Sequence, residues 1–114
     1  FRNYKHINKA IDLFVSNKLA NSLVSVQRIP HSYSVEKIGK LKNGYLLCKT
    51  EIKNRQKIKE TYARNGAIYI TRLKVYKNSL LVPKILPFIM NKEDSLDIDD
   101  MYDWKIAEKI IKLK

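Results

Sequence analysis

The sequence predicts an α/β fold, on three observations. Stretches with helical spacing open and close the chain, β-branched runs lie between them, and an Asn-Gly pair separates two of those runs as a tight turn would. The expected order is helix, strand, hairpin, strand, helix, strand, helix. At 114 residues and 45% hydrophobic content there is material for one modest domain and too little for two. Three strands at most are apolar enough to be central, fewer than an open parallel sheet usually has, so the pattern reads as part of a larger unit.

The stretch YKHINKAIDLFVSNK spaces Ile7, Ile11, Phe14 and Val15 along one helical face and predicts a helix over 4–18 with those residues buried. NSLVSVQRI supplies Leu23, Val24, Val26 and Ile29 for a strand that Pro30 ends. KIGKLKNGYLLCKT predicts a hairpin turning at Asn43-Gly44, because that dipeptide tolerates the positive φ a two-residue turn demands. Cys48 is expected to be a buried strand residue.

Residues 51–62 are polar and read as a loop or exposed strand. In ARNGAIYI, Asn65-Gly66 predicts a turn entering a strand that returns Ile68 and Ile70 to the core and points Tyr69 the other way. TRLKVYKNSL has weak helical periodicity, and KILPFIM reads as a short strand. MYDWKIAEKIIKLK repeats Met101, Trp104, Ala107, Ile110 and Ile111 at helical spacing and predicts a closing amphipathic helix.

Charge is distributed unevenly. The net charge is +12, yet residues 1–92 hold 19 Lys and Arg against four acids, while residues 93–114 hold four Lys against seven acids. The basic excess is spread widely, which leaves open a solvated lysine-rich surface, a site for an anionic small molecule, and a nucleic-acid or polyanion-binding module. No apolar run reaches the length of a membrane helix, since LLVPKILPFIM is broken by Pro83, Lys84 and Pro87. A single cysteine, and a stretch from Phe1 onward that does not read as a basic-then-apolar leader, lead to the expectation of a cytoplasmic protein.

The acidic run DSLDIDDMYD spans 94–103. If Asp97 and Asp99 end a strand, alternation aims both carboxylates the same way, as a hard cation such as Mg²⁺ requires. The competing reading caps the last helix with Asp99 or Asp100 and sets the remaining acids against its positive dipole. Arg55 beside Gln56 has the geometry to grip a carboxylate and is equally an ordinary surface arginine. His6 and His31 have no metal-ligand spacing, and no Ser/His/Asp, Walker-type or paired-cysteine motif is present.

The order of four motifs adds to this. SLVSVQRIPH, RQ, YARNGAIYI and IMNKEDSLDIDDMYDWKIAE together resemble the C-terminal half of the acylneuraminate cytidylyltransferases, the CMP-sialic acid synthetase family, across essentially all of 1–114. The resemblance implies a partial Rossmann-like nucleotidyltransferase sheet with a protruding β-hairpin dimerisation segment at about 36–64. Phe1-Arg2 look like the end of the motif that precedes the first helix, so the N-terminal CTP-binding half is expected to be absent.

By the same resemblance, the complete enzyme joins CTP to a nonulosonic acid such as N-acetylneuraminate with Mg²⁺, as a homodimer that binds neither nucleic acid nor membrane. The chain alone is expected to be inactive. Asp97 and Asp99 match the metal aspartates, Arg55 and Tyr69 the sugar-binding arginine and tyrosine, and Lys37 a substrate-binding lysine. Leu80 and Leu81 stand where family members often carry a Phe pair that packs around the sugar from the partner subunit. Ala63-Arg64 stand where Arg-Pro is common. The leucine pair bears on which sugar acid is accepted, and the Ala63-Arg64 departure bears on the turn.

Overall fold

The computed structural model describes residues 1–52, 54 and 59–114. They divide into two compact units, Phe1–Gln27 with Arg64–Lys114, and Arg28–Ala63. Mixed α/β character is seen directly: a three-stranded mixed sheet and a separate two-stranded hairpin.

In the first unit, helix α1 runs Tyr4–Ser16. Asn3 starts it by accepting from the backbone N–H groups of Lys5 and His6, while His6 Nδ1 accepts from Asn3 N at 3.2 Å. This is a reciprocal cap with histidine in the place usually held by Glu or Gln. Only Ala10 and Phe14 are buried on the helix, whereas Ile7, Ile11 and Val15 are 40%, 45% and 66% exposed. The expected four-residue face is thus corrected to a narrower i, i+4 stripe. A three-stranded sheet offers too little width to cover the rest.

Strand β1 (Ser22–Arg28) is central; β5 (Ile85–Ile89) and β4 (Tyr62–Thr71) flank it. β1 and β5 are parallel, in a register from Ser22 opposite Ile85 to Val26 opposite Ile89, and Met90 N extends the pairing by donating to Val26 O at 2.8 Å. Pro87 is tolerated in β5 because this strand lies at the sheet edge. β4 runs against β1, with Arg72 N donating to Asn21 O at 3.0 Å. Ala10, Phe14, Ala20, Leu23, Ile68, Phe88 and Met90 form the core.

Two expectations along β4 change. Asn65-Gly66 lies inside the strand rather than at a turn before it. Gly66 has φ +68, a left-handed conformation that glycine reaches without strain, and the backbone there departs from regular pairing. Ser25 Oγ accepts from Ile68 N at 2.8 Å, so a side chain satisfies a donor that the ladder would otherwise have served. The helix expected in TRLKVYKNSL is a single 3₁₀ turn, Leu73–Val75. Leu73 is 87% exposed and no residue of the turn is buried, so the segment has no apolar face to hold a helix in place.

Helix α2 (Met101–Leu113) closes the chain and buries only Ala107; Met101, Trp104 and Ile111 remain exposed. Arg72 braces the connection from α1 to β1, donating to Ala20 O at 2.6 Å and Asn17 O at 2.8 Å with its guanidinium 4.9 Å from the Phe14 ring centre.

The second unit contains the hairpin β2 (Gly39–Lys42) and β3 (Tyr45–Cys48), antiparallel from Gly39 opposite Cys48 to Lys42 opposite Tyr45. Asn43 and Gly44 have φ 52 and 80, the doubly left-handed turn that their sequence predicts. Every residue of both strands is exposed. Cys48 is therefore an exposed free thiol rather than a buried residue, since no second layer packs on the ribbon within its own unit. Among the described residues no helix is long and apolar enough to cross a membrane.

Candidate functional site

The site begins with one asparagine. Asn65 Oδ1 accepts from Ser25 Oγ and, at 3.2 Å, from Ala67 N, while its Nδ2 donates to Ser95 Oγ at 2.9 Å and approaches Met90 Sδ at 3.5 Å. Ser95 Oγ in turn donates to Asn91 O at 2.7 Å. Both hydroxyls are buried, so each bond replaces water that those groups have lost. The network ties the kink in β4, the middle of β1 and the 3₁₀ turn Glu93–Ser95 into one rigid floor.

Above this floor opens a cavity of about 580 Å³ whose lining includes Gln27, Arg64, Asn65, Tyr69, Lys92 and Asp97. Tyr69 is 38% exposed, with its ring available to the cavity on the face of β4 opposite Ile68 and Ile70. A second cavity, about 320 Å³, shares Asn65, Ser95 and Asp97 and is bounded on its other side by Phe1, Arg2 and Asp94. Asp97 belongs to both.

Two of the expected site residues, Tyr69 and Asp97, thus come together although they are far apart in sequence. Asp99 is exposed and is not part of either lining. The strand required for Asp97 and Asp99 to point alike is absent: residues 96–99 belong to no strand, and the alternation argument does not apply to them. Asp97 Oδ1 accepts from Ile98 N at 3.1 Å, and neither carboxylate forms an ion pair among the described residues.

The cavity thus holds one of the two expected carboxylates, Asp97, and a cation bound there would take its remaining ligands largely from water and phosphate, as Mg²⁺ does. Among the described residues there is no group of three or more His, Cys, Asp or Glu able to hold a metal ion, so an all-protein cage is not available.

The remaining acids of the run have structural partners. Asp100 caps α2 by accepting from Tyr102 N at 2.7 Å and Asp103 N at 2.9 Å, and Asp103 returns the bond by accepting from Asp99 N and Asp100 N. Asp94 accepts from Lys114 Nζ at 3.3 Å and lies 3.4 Å from His6 Nε2, which joins the start of α1 to the end of α2. His6 thus makes a contact through each ring nitrogen, one with the cap of α1 and one with Asp94.

Leu80 is exposed and Leu81 half-buried, in the connection to β5; Leu80 O accepts from Thr71 Oγ1 at 2.6 Å. This connection is held at the first residue of β1, where Ser22 Oγ accepts from Val82 N and donates to Val82 O, whereas the floor is held at Ser25. The two leucines do not line the cavity. Lys37 is exposed and belongs to the other unit. Arg55 lies outside the described residues.

Sequence reasoning missed Asn65 as the organising side chain, and Arg64 and Lys92 as cavity cations. The available signal was two serines, Ser22 and Ser25, inside an otherwise apolar strand: buried hydroxyls need partners, and partners mark where other segments meet. No family model matches the sequence.

Proposed function

We propose that this chain is the C-terminal part of a CMP-nonulosonate synthetase, which transfers CMP from CTP to a nine-carbon sugar acid and releases pyrophosphate. The observation that carries the reading is that Tyr69 and Asp97 line one cavity, since the order of motifs independently assigns them to sugar and to metal. The cavity is rimmed by charge and floored by amide and hydroxyl groups, a surface suited to a small polyhydroxylated anion.

In this reading Asp97 and Asp99 hold Mg²⁺, and Tyr69 orients the sugar. Arg55 and Lys37 contribute further sugar contacts, and Leu80 and Leu81 serve the sugar site across an expected homodimer, with the hairpin as the pairing element. The anomeric hydroxyl attacks the α-phosphorus of CTP as the bond to pyrophosphate breaks. When bound, Mg²⁺ neutralises charge on the triphosphate and eases the departure of pyrophosphate. The role of residues 1–114 is to fix the sugar and the cation against each other, for which the rigid Asn65 floor is well suited.

The test is pyrophosphate release from CTP and N-acetylneuraminate by the complete protein containing this chain, with residues 1–114 alone assayed in parallel. The reading expects release that depends on both substrates and on Mg²⁺, and none from the 114-residue chain. No release by the complete protein with any nonulosonic acid, or turnover by the chain alone, would contradict it.

A further inference from the structure

Asp97 has no side-chain partner to aim it. Among the described residues its carboxylate accepts only from Ile98 N, so its direction follows from the backbone on either side. Downstream, that backbone is held where Asp99 N and Asp100 N donate to Asp103 Oδ2 at 3.1 and 3.3 Å. Upstream, the 3₁₀ turn Glu93–Ser95 is tied to the sheet through Ser95 and Asn65. Asp94 supplies a second tie, to both helices.

The Asp94 side chain is only 17% exposed, and each of its oxygens has its own partner. Oδ2 lies 3.4 Å from His6 Nε2 on α1, and Oδ1 lies 3.3 Å from Lys114 Nζ just past α2. Because Asn3 N donates to His6 Nδ1 at 3.2 Å, that nitrogen is an acceptor and the hydrogen on Nε2 faces Asp94. Lys114 Nζ is itself braced 5.6 Å from the Phe1 ring centre. Phe1, Asp94 and Asp97 line one cavity of about 320 Å³, so this junction and the expected cation ligand share a wall.

Lys114 is half exposed, and ion pairs of that kind add little to folding stability. What the junction does determine is where the turn stands. We infer that Asp94 is a positioning residue: held by His6 and Lys114, it fixes the helix side of the turn leading into Asp97 and presets that carboxylate for a divalent cation. The inference rests on the reading of Asp97 as a cation ligand, and adds residues to which the order of motifs gives no task. A preset carboxylate loses less freedom on taking the ion and therefore binds it more tightly.

The experiment is an Mn²⁺ titration of the complete protein followed by electron paramagnetic resonance, the site being identified as the binding lost in Asp97→Asn. Mn²⁺ stands in for Mg²⁺ because it shares the preference for oxygen ligands. Amide exchange at Ser95, whose N–H donates to Lys92 O at 3.2 Å, reports the turn on the same samples. Asp94→Ala is expected to weaken Mn²⁺ binding about three- to tenfold and to speed exchange at Ser95. Lys114→Ala separates position from charge, since losing a nearby cation would by charge alone tighten Mn²⁺ binding. It is expected instead to weaken binding about two- to fivefold, with Lys114→Arg restoring the parent affinity. In the Asp94→Ala background Lys114→Ala should add no further weakening, because the carboxylate it served is gone.

Parent affinity in Asp94→Ala, whatever its denaturation midpoint, overturns the inference and leaves the cation reading of Asp97 intact. Tighter or unchanged binding in Lys114→Ala, or weaker binding in Asp94→Ala with exchange at Ser95 unmoved, overturns it as well. Parent affinity in Asp97→Asn overturns both the inference and the cation reading.

Discussion

Asn65 and Ser95 are joined by a 2.9 Å hydrogen bond that fixes a kink in β4 to the turn two residues before Asp97. Through this contact, strand geometry controls where a surface carboxylate stands. Replacing Asn65 by Ala removes its bonds with Ser25 Oγ, Ser95 Oγ and Ala67 N, each worth about 0.5–1.5 kcal/mol net, while Ser25 keeps Ile68 N and Ser95 keeps Asn91 O. Asn65→Ala should lower the unfolding free energy by about 2–3 kcal/mol in urea titration; a loss within experimental error would mean that the network contributes nothing.

Gly66 makes the kink through its φ of +68, and a Cβ there would meet nothing within 4 Å. Strain in the backbone, rather than crowding, should set the effect of substitution. Gly66→Ala is expected to destabilise by about 1–2 kcal/mol. Gly66→Asn, which tolerates the left-handed region better, should cost measurably less, and equal losses for both would argue for a steric cause instead.

Asp100 and Asp97 separate two roles within one acidic run. Asp100→Ala removes an N-cap and should cost about 1 kcal/mol of stability, read as a lower denaturation midpoint. Asp97→Asn touches only the Ile98 N–H and should leave the midpoint within about 0.5 kcal/mol of the parent. A larger loss at Asp97 than at Asp100 would reverse the assignment.

Tyr62 donates to Glu60 Oε2 at 2.9 Å, and this bond, together with partial desolvation and repulsion from the Glu60 charge, raises the phenol above its ordinary value, with Arg28 opposing. The folded state thus favours the protonated phenol. The contribution is fully present below the unfolded value of about 10 and is lost as pH rises through the raised folded value. Glu60→Ala should bring the Tyr62 titration, followed by NMR of the labelled ring, back down; an unchanged titration would dismiss the contact.

The strands were legible where β-branched and apolar residues run together, as in SLVSV, or alternate, as in GAIYI, and the hairpin turn was legible because Asn43-Gly44 tolerates the positive φ of a tight turn. Helix faces were less so. Ile7, Ile11 and Val15 have the spacing of a buried stripe, but spacing records a capacity for burial, and the narrow sheet covers only Ala10 and Phe14. At Asn65-Gly66 the dipeptide that marks a turn elsewhere lies within a strand, because Ser25 supplies the acceptor that a kinked ladder lacks.

The same long-range contacts explain what was hidden at the site. Arg64 and Lys92 resemble any other surface cations until the fold sets them around one cavity with Tyr69 and Asp97. The capping role of Asp100 could be foreseen from its place before an amphipathic helix. The engagement of Asp94 by both His6 and Lys114 could not, since it joins opposite ends of the chain.

Titrating Mg²⁺ against pyrophosphate release in the complete protein and its Asp97→Asn variant asks whether the Asp97 cavity binds the cation proposed for CMP transfer. If Asp97 holds that cation, the variant should keep its fold, lose at least about a hundred-fold in turnover and need higher Mg²⁺ for what remains, since a carboxylate proposed to hold the cation is removed. An Asp97→Asn enzyme with the parent's turnover and the parent's Mg²⁺ dependence would contradict it.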